Sequence, residues 1–154
     1  MRNCPILIAL LTPLVTVGCN PSPKLAPVSG KVTLNGKPVG NVRVEFHPDP
    51  DAKGTGPSST ATTDSSGQFT LASTGSGGEP GAVIGSHRVI LSDLDVYGSV
   101  FVGRGNYRHE DEKGVPKEVP KIPRIPSVYS DLSKTPFKID VVPGMEPVKL
   151  EVKK

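Results

Sequence analysis

The chain offers few side chains able to do chemistry, and their spacing decides what they could do. Three histidines, His47, His87 and His109, stand in separate segments. A metal site or a base–nucleophile pair needs partners at short, regular intervals, and none of the three has them. Surface positions or satisfied strand positions are therefore expected for all three. Asp49-Pro-Asp51, Asp64-x-x-Gly67 and Asp93-Leu-Asp95 could each offer carboxylates to calcium, but none follows the EF-hand spacing with its closing glutamate. Aspartate also starts turns by bonding its own backbone, which is the simpler role for all three. There is no Gly-x-Ser-x-Gly or His-Glu-x-x-His motif, and Gly54-x-Gly56 and Gly103-x-Gly105 do not amount to a phosphate loop. The expectation is a chain with no catalytic residue, no metal and no cofactor.

The two cysteines carry the clearest chemistry. Cys4 and Cys19 both lie near the start, so the body of the chain contains no thiol, hence no disulfide framework and no cysteine-based metal site. Met1-Arg2-Asn3 supplies a positive charge, and Pro5 to Val17 is an apolar run that ends at Gly18-Cys19. That run falls short of the roughly 20 residues a membrane-spanning helix needs, and Pro13 interrupts it, so a signal peptide over residues 1–18 is expected. Gly18-Cys19 resembles the lipobox of bacterial lipoproteins, with Thr16 where that pattern usually has an aliphatic residue. The resemblance implies acylation of Cys19 and a protein held on a membrane of the cell envelope, facing the periplasm or the cell exterior. Asn20 to Pro27 contains three prolines. It reads with Cys19 as a tether, residues 19–27, that does not pack.

The body must position whatever remains. Seventeen glycines and seventeen prolines in 154 residues argue against long helices, because interior Pro costs about 3 kcal/mol and Gly about 1 kcal/mol relative to Ala. Short alternating apolar runs indicate strands instead. Val28, Gly30, Val32 and Leu34 form one face of a strand, Asn35-Gly36 marks a hairpin, and Val42, Val44 and Phe46 alternate in the next run. Asp64 to Gly67 reads as a hairpin turn between Thr60–Thr63 and Gln68–Leu71. His87 to Ser92 is a further strand. Phe137–Val141 and Val148–Val152 read as a closing hairpin around Pro143-Gly144. The structural turn residues are then Asn35, Gly36, Asp64 and Gly67, in an all-β sandwich spanning residues 28–154.

Val28 to Val39, Val42 to Pro48, Ala61 to Leu71 and Gly81 to Leu91 resemble the carboxypeptidase regulatory-like, transthyretin-like (prealbumin-like) domains of bacterial lipoproteins. Ile125 to Asp131 and Lys138 to Val152 are similar to the close of those proteins. The most telling motif is Thr63-Asp64-x-x-Gly67-x-Phe69. The resemblance implies a seven-stranded Greek-key sandwich without enzymatic activity. A hydroxyisourate hydrolase, the enzyme of the wider group, closes on Tyr-Arg-Gly-Ser, whereas this chain closes on Leu150-Glu-Val-Lys-Lys154.

One segment exceeds the plain sandwich. About 93–134 is too long for an ordinary connection and contains Tyr97, Tyr107 and Tyr129, all the tyrosines of the chain. With Arg108 these are candidates for ligand contact, since aromatic and Arg side chains favour interfaces. The net charge of +3 is interleaved in sign, which gives no reason to expect nucleic acid. The leading expectation is a lipid-anchored structural or protein-interaction domain. The alternative is a carbohydrate- or peptide-binding module using the 93–134 loop, with an envelope protein or a glycan as partner.

Overall fold

The computed structural model describes residues 23–75, 77–96 and 122–154. It is an all-β sandwich. The strands are β1 Leu25–Ala26, β2 Ser29–Leu34, β3 Lys37–Pro38, β4 Val42–Pro48, β5 Ser59–Thr62, β6 Gln68–Thr70, β7 Ala72–Ser73, β8 Ala82–Val83, β9 Gly85–Asp93, β10 Lys138–Val141 and β11 Val148–Val152. One sheet has the order β10-β9-β4-β5-β7. The facing sheet has β2 at its centre, parallel to β11 on one side and antiparallel to β3 and β6 on the other. β1 and β8 form a small third sheet. Among the described residues no helix is long and apolar enough to cross a membrane.

Period-two alternation builds the core. On β4 the buried residues are Val42, Val44 and Phe46, and on β9 they are His87, Val89, Leu91 and Asp93. The facing sheet contributes Val32, Phe69, Val148, Leu150 and Val152. Fully burying side chains of this size stabilises by roughly 1.5–3 kcal/mol each. The rings of Phe46 and Phe69 meet across the sandwich at 6.5 Å, tilted by 50°. Gly30 makes that contact possible, because a Cβ there would lie 2.6 Å from the Phe69 ring and 2.4 Å from the Val148 carbonyl.

Of the three turns read as hairpins, one closes a short ladder and two join strands of different sheets. Asn35-Gly36, with φ of 48° and 77°, closes only the two-pair hairpin of β2 and β3. The chain then leaves through Gly40 and Asn41, whose φ is 57°, and β4 joins the other sheet. Across Asp64–Gly67, β5 pairs with β4 and β7 whereas β6 pairs with β2. Across Pro143-Gly144, β10 pairs with β9 and β11 with β2. At both crossings the flanking strands still turn a side to the same core, so the alternation does not tell a turn that closes a ladder from one that spans the sandwich.

The tether is shorter than its prolines suggest. Leu25–Ala26 pairs with β8, Ala26 is buried, and the Lys24 carbonyl accepts the Ile84 amide at 3.0 Å. Residues 122–134 are likewise not a free crossover. Ile125 and Tyr129 enter the core, a 3-10 turn spans Ser127–Ser130, and the Thr135 hydroxyl donates to the Val89 carbonyl at 2.6 Å.

Candidate functional site

The inward phase of β9 continues past Leu91 to Asp93, which places a carboxylate at a core position. Burying such a charge is costly unless it is paired and hydrogen-bonded. Asp93 is 2% exposed and satisfies both conditions. The Arg124 amide donates to its Oδ2 at 2.8 Å, Arg124 Nε at 3.0 Å, Arg124 Nη2 to Oδ1 at 2.5 Å, and the Asp95 amide to Oδ1 at 3.2 Å. Arg124 Nη2 also reaches the Gly40 carbonyl at 3.1 Å and Asp95 Oδ2 at 2.8 Å, while Asn41 Nδ2 donates to the Asp95 carboxylate. One guanidinium thus joins the end of β9, the connection from β3 to β4, and the returning chain. A cavity of about 70 Å³ adjoins it, lined by Leu91, Ser92, Asp93, Pro123, Ile125, Ser127 and Ser130.

The charge state of this node follows from its geometry. Burial pushes the Asp93 carboxyl up, but the hydrogen bonds and charge of Arg124 outweigh it and hold the pKa below the ordinary 3.8. The Arg124 guanidinium is raised in turn by its bond to Asp93. A general acid or base works best with a pKa near the working pH. A carboxylate held ionised and surrounded by donors is suited to fastening chain to chain.

A second node lies on the outer face of the five-stranded sheet. Arg88 Nε donates to Asp49 Oδ1 at 3.0 Å, Nη1 to the Leu132 carbonyl at 3.2 Å, and Nη2 to the Asp51 carboxylate. Lys138 Nζ stands 3.6 Å from Asp49 Oδ2. Burial raises the Asp49 carboxyl, and the Asp51 amide together with Arg88 and Lys138 lowers it further, for a net fall. This node ties the 3-10 turn Pro50–Ala52 and the approach to β10 onto β9.

The two described histidines, His47 and His87, depart from the expected surface or satisfied positions. His87 is 1% exposed, packs against Phe46 at 6.0 Å between ring centroids, and has Nδ1 2.9 Å from the Gly85 carbonyl. Its Nε2 has no hydrogen-bond partner among the described residues, and neither has Nε2 of His47. Burial lowers the His87 pKa below 6.5, only partly offset by the Gly85 bond. A neutral ring in an inward strand position follows.

Of the predicted contact residues, Tyr97, Tyr107 and Arg108 lie outside the described residues, as do Cys19 and His109. Tyr129 is not an exposed ligand contact. It is 8% exposed, stacks on Phe137 at 5.2 Å, and its hydroxyl sits between the amide of Lys153 (3.2 Å) and that residue's carbonyl (3.5 Å). It holds the end of β11. Gly67 has φ of 77°, and Asp64 Oδ1 accepts from the Ser66 amide, the Ser66 hydroxyl and the Gln68 amide at 2.7–2.9 Å. Those bonds hold the Asp64 carboxyl below its ordinary range. An open groove of about 400 Å³ runs beside this turn, lined by Ser29, Gly30, Thr62, Asp64, Gln68, Phe69, Thr70 and Pro147. Among the described residues no three His, Cys, Asp or Glu side chains gather where a metal could be held.

Sequence reasoning missed the pairing of Asp93 with Arg124. Asp93 occupies the fourth inward position after His87, Val89 and Leu91, and a carboxylate in that phase is itself the signal that a cation must come to meet it.

A family model described as a domain of unknown function (DUF6795) matches residues 28–93. The match begins just before β2 and ends at Asp93, the residue that Arg124 grips. It covers β2 through β9 and leaves β1, β10, β11 and the chain between β9 and β10 outside. No curated protein and no solved structure matches the chain.

Proposed function

We propose that this chain is a lipid-anchored domain of the cell envelope, without catalysis of its own, in which the segment between Asp93 and Arg124 makes the contact with another envelope component. The observation that carries the proposal is the polarity of β9. Its first residue, Gly85, follows Ile84, whose amide is bound by Lys24 at the entry from the N-terminal segment. Its last residue, Asp93, is clamped to Arg124 at the root of residues 94–123. Nine strand residues at about 3.3 Å each put these ends about 27 Å apart. The apolar run ending at Gly18-Cys19 and the resemblance to transthyretin-like lipoprotein domains support the anchor. The two charged nodes support a non-catalytic role, since their donors and acceptors are spent on joining chain segments. Connections between the strands of a rigid scaffold are the usual place for recognition.

Metabolic labelling with an alkyne fatty acid tests the anchor: the wild-type protein takes up the label, and Cys19→Ser removes both the label and the processing at residue 19. An unlabelled but normally processed wild-type protein would refute anchoring. Crosslinking in intact cells, compared between the full chain and a chain with 97–121 replaced by a short Gly-Ser link, tests the contact. Identical crosslinks from both would refute the role given to that segment.

A further inference from the structure

The point where the N-terminal segment joins the sandwich limits how the domain can sit. Four residue steps lead from Cys19 to Pro23, the first described residue. A fully extended chain gains at most about 3.6 Å per residue, so Pro23 lies within about 14 Å of Cys19. An acylated cysteine is held near the boundary between headgroups and acyl chains, and one headgroup layer is roughly 5–8 Å thick. The end of the sandwich that holds Lys24 is therefore confined to within about 10 Å of the membrane surface.

That end exposes aliphatic side chains. The Lys24 carbonyl is bonded to the Ile84 amide, and Ile84 is 39% exposed. The ladder of β9 and β10 ends at Val141 opposite Gly85. Ile84 and Val142 each adjoin a member of that last pair, and Val142 is 49% exposed. Val141 is buried, so the next residue along the alternation turns to the outer side. We propose that Ile84 and Val142, with Lys24 beside them, form the surface on which the domain rests against the lipid bilayer. The proposal rests on acylation of Cys19.

The physical fit is with the boundary layer and not with the hydrocarbon interior. Aliphatic side chains gain by leaving water at that depth, and a lysine can lay its stem along them while its ammonium stays among phosphates. Asp140 is exposed and paired with Ser86, two residues further up β10. About 7 Å of strand separates it from Val142, and its charge limits how deep this edge can enter. The far end of β9 is polar, with Asp93, Asp95 and Arg124, and suits water.

The mature chain has no thiol apart from Cys19, which acylation blocks, so a single introduced cysteine can be labelled alone. Full-length lipoprotein carrying Ile84→Cys, Val142→Cys or, at the opposite end, Lys37→Cys is labelled with a nitrobenzoxadiazole dye. Each is reconstituted into vesicles of phosphatidylethanolamine and phosphatidylglycerol, with and without nitroxide lipids. Labels at 84 and 142 are expected to shift to the blue and to be quenched several-fold more strongly by the nitroxide than the label at 37. Both positions are exposed, so neither change threatens the core, and the two report independently. Vesicle flotation separates the two levels of the proposal. Protein that does not float with the vesicles overturns the anchor and this surface with it. Protein that floats while its labels at 84 and 142 stay as solvent-like and unquenched as at 37 overturns the surface and leaves the anchor standing.

Discussion

Replacing Arg124 with Met tests whether the Asp93–Arg124 clamp holds the sandwich closed at the end of β9. The methionine keeps much of the aliphatic stem and removes the guanidinium. Asp93 then loses its Nε and Nη2 donors and keeps two amides, those of Arg124 and Asp95. Removing one partner of a buried pair costs about 3–5 kcal/mol when the remaining charge is left uncompensated. Here the surviving amides and the 36% exposure of the Arg124 side chain reduce the loss to about 2–3 kcal/mol. For a domain of roughly 100–150 residues that is a fall in melting temperature on the order of 10 °C. Asp93→Asn keeps an acceptor and leaves Arg124 with solvent and Asp95, so it costs less, about 1–2 kcal/mol.

The assay is urea unfolding of wild type, both single variants and the double variant at pH 7. The double variant should be more stable than the sum of the single losses implies, by about 1 kcal/mol or more, because each single change strands a partner that the double change removes. Acid should erase the coupling. The folded pKa of Asp93 is depressed, so the pair's contribution is complete above the unfolded value near 3.8 and is lost as pH falls below it toward the folded value. Additive losses in the cycle at pH 7, or an Arg124→Met melting temperature within about 2 °C of wild type, would refute the clamp.

Further outcomes follow from other sites. Gly67→Val should lower stability by about 2–3 kcal/mol against a neutral Lys149→Gln control, because φ is 77° and a Cβ would lie 2.5 Å from the Val32 carbonyl; an unchanged urea midpoint would contradict the left-handed corner. The folded pKa of His87 is lowered by burial, so stability should be complete above the unfolded value near 6.5 and decline as pH falls from there toward the folded value, and His87→Leu should flatten that decline; equal slopes in the two proteins between pH 7.5 and 5.5 would count against it. Replacing 97–121 by a short Gly-Ser link should leave the melting temperature within about 3 °C, since Asp93 and Arg124 already bring the flanking chain together and loop closure depends only weakly on length; cooperative unfolding lost in the shortened chain would show that the segment belongs to the fold.

The alternation in β2, β4, β9 and β11 was legible because it depends only on which residues shun water. Turn positions were legible for a similar reason: the positive φ at Asn35, Gly36 and Gly67 is a local demand that Asn and Gly meet. Pairing was not legible. Whether β6 returns to β5 or crosses to β2 is decided by contacts such as Phe46 with Phe69 and by the space left at Gly30. Those groups are distant in sequence, and either choice buries the same residues. Proline density misled in the other direction at Leu25–Ala26, where two ladder pairs with β8 are enough to make a spacer part of the fold.

The candidate site shows the same division between local and distant causes. Tyr129 had the chemistry of an interface residue, but the backbone of Lys153, 24 positions away, satisfies its hydroxyl, and a satisfied phenol over Phe137 is a packing element. Asp93 had the chemistry of a turn residue, and its phase on β9 made it a buried charge that required a cation. The cation came from 31 residues further along, beyond the reach of any spacing rule. That requirement has a structural consequence. Because Asp93 cannot stay buried unpaired, Arg124 must come to meet it, so the flanking residues 94–96 and 122–123 are fixed by electrostatics whatever sequence lies between. A scaffold built this way can change the intervening segment without disturbing the sandwich beneath it, which is the physical condition for a recognition element to vary while its platform does not.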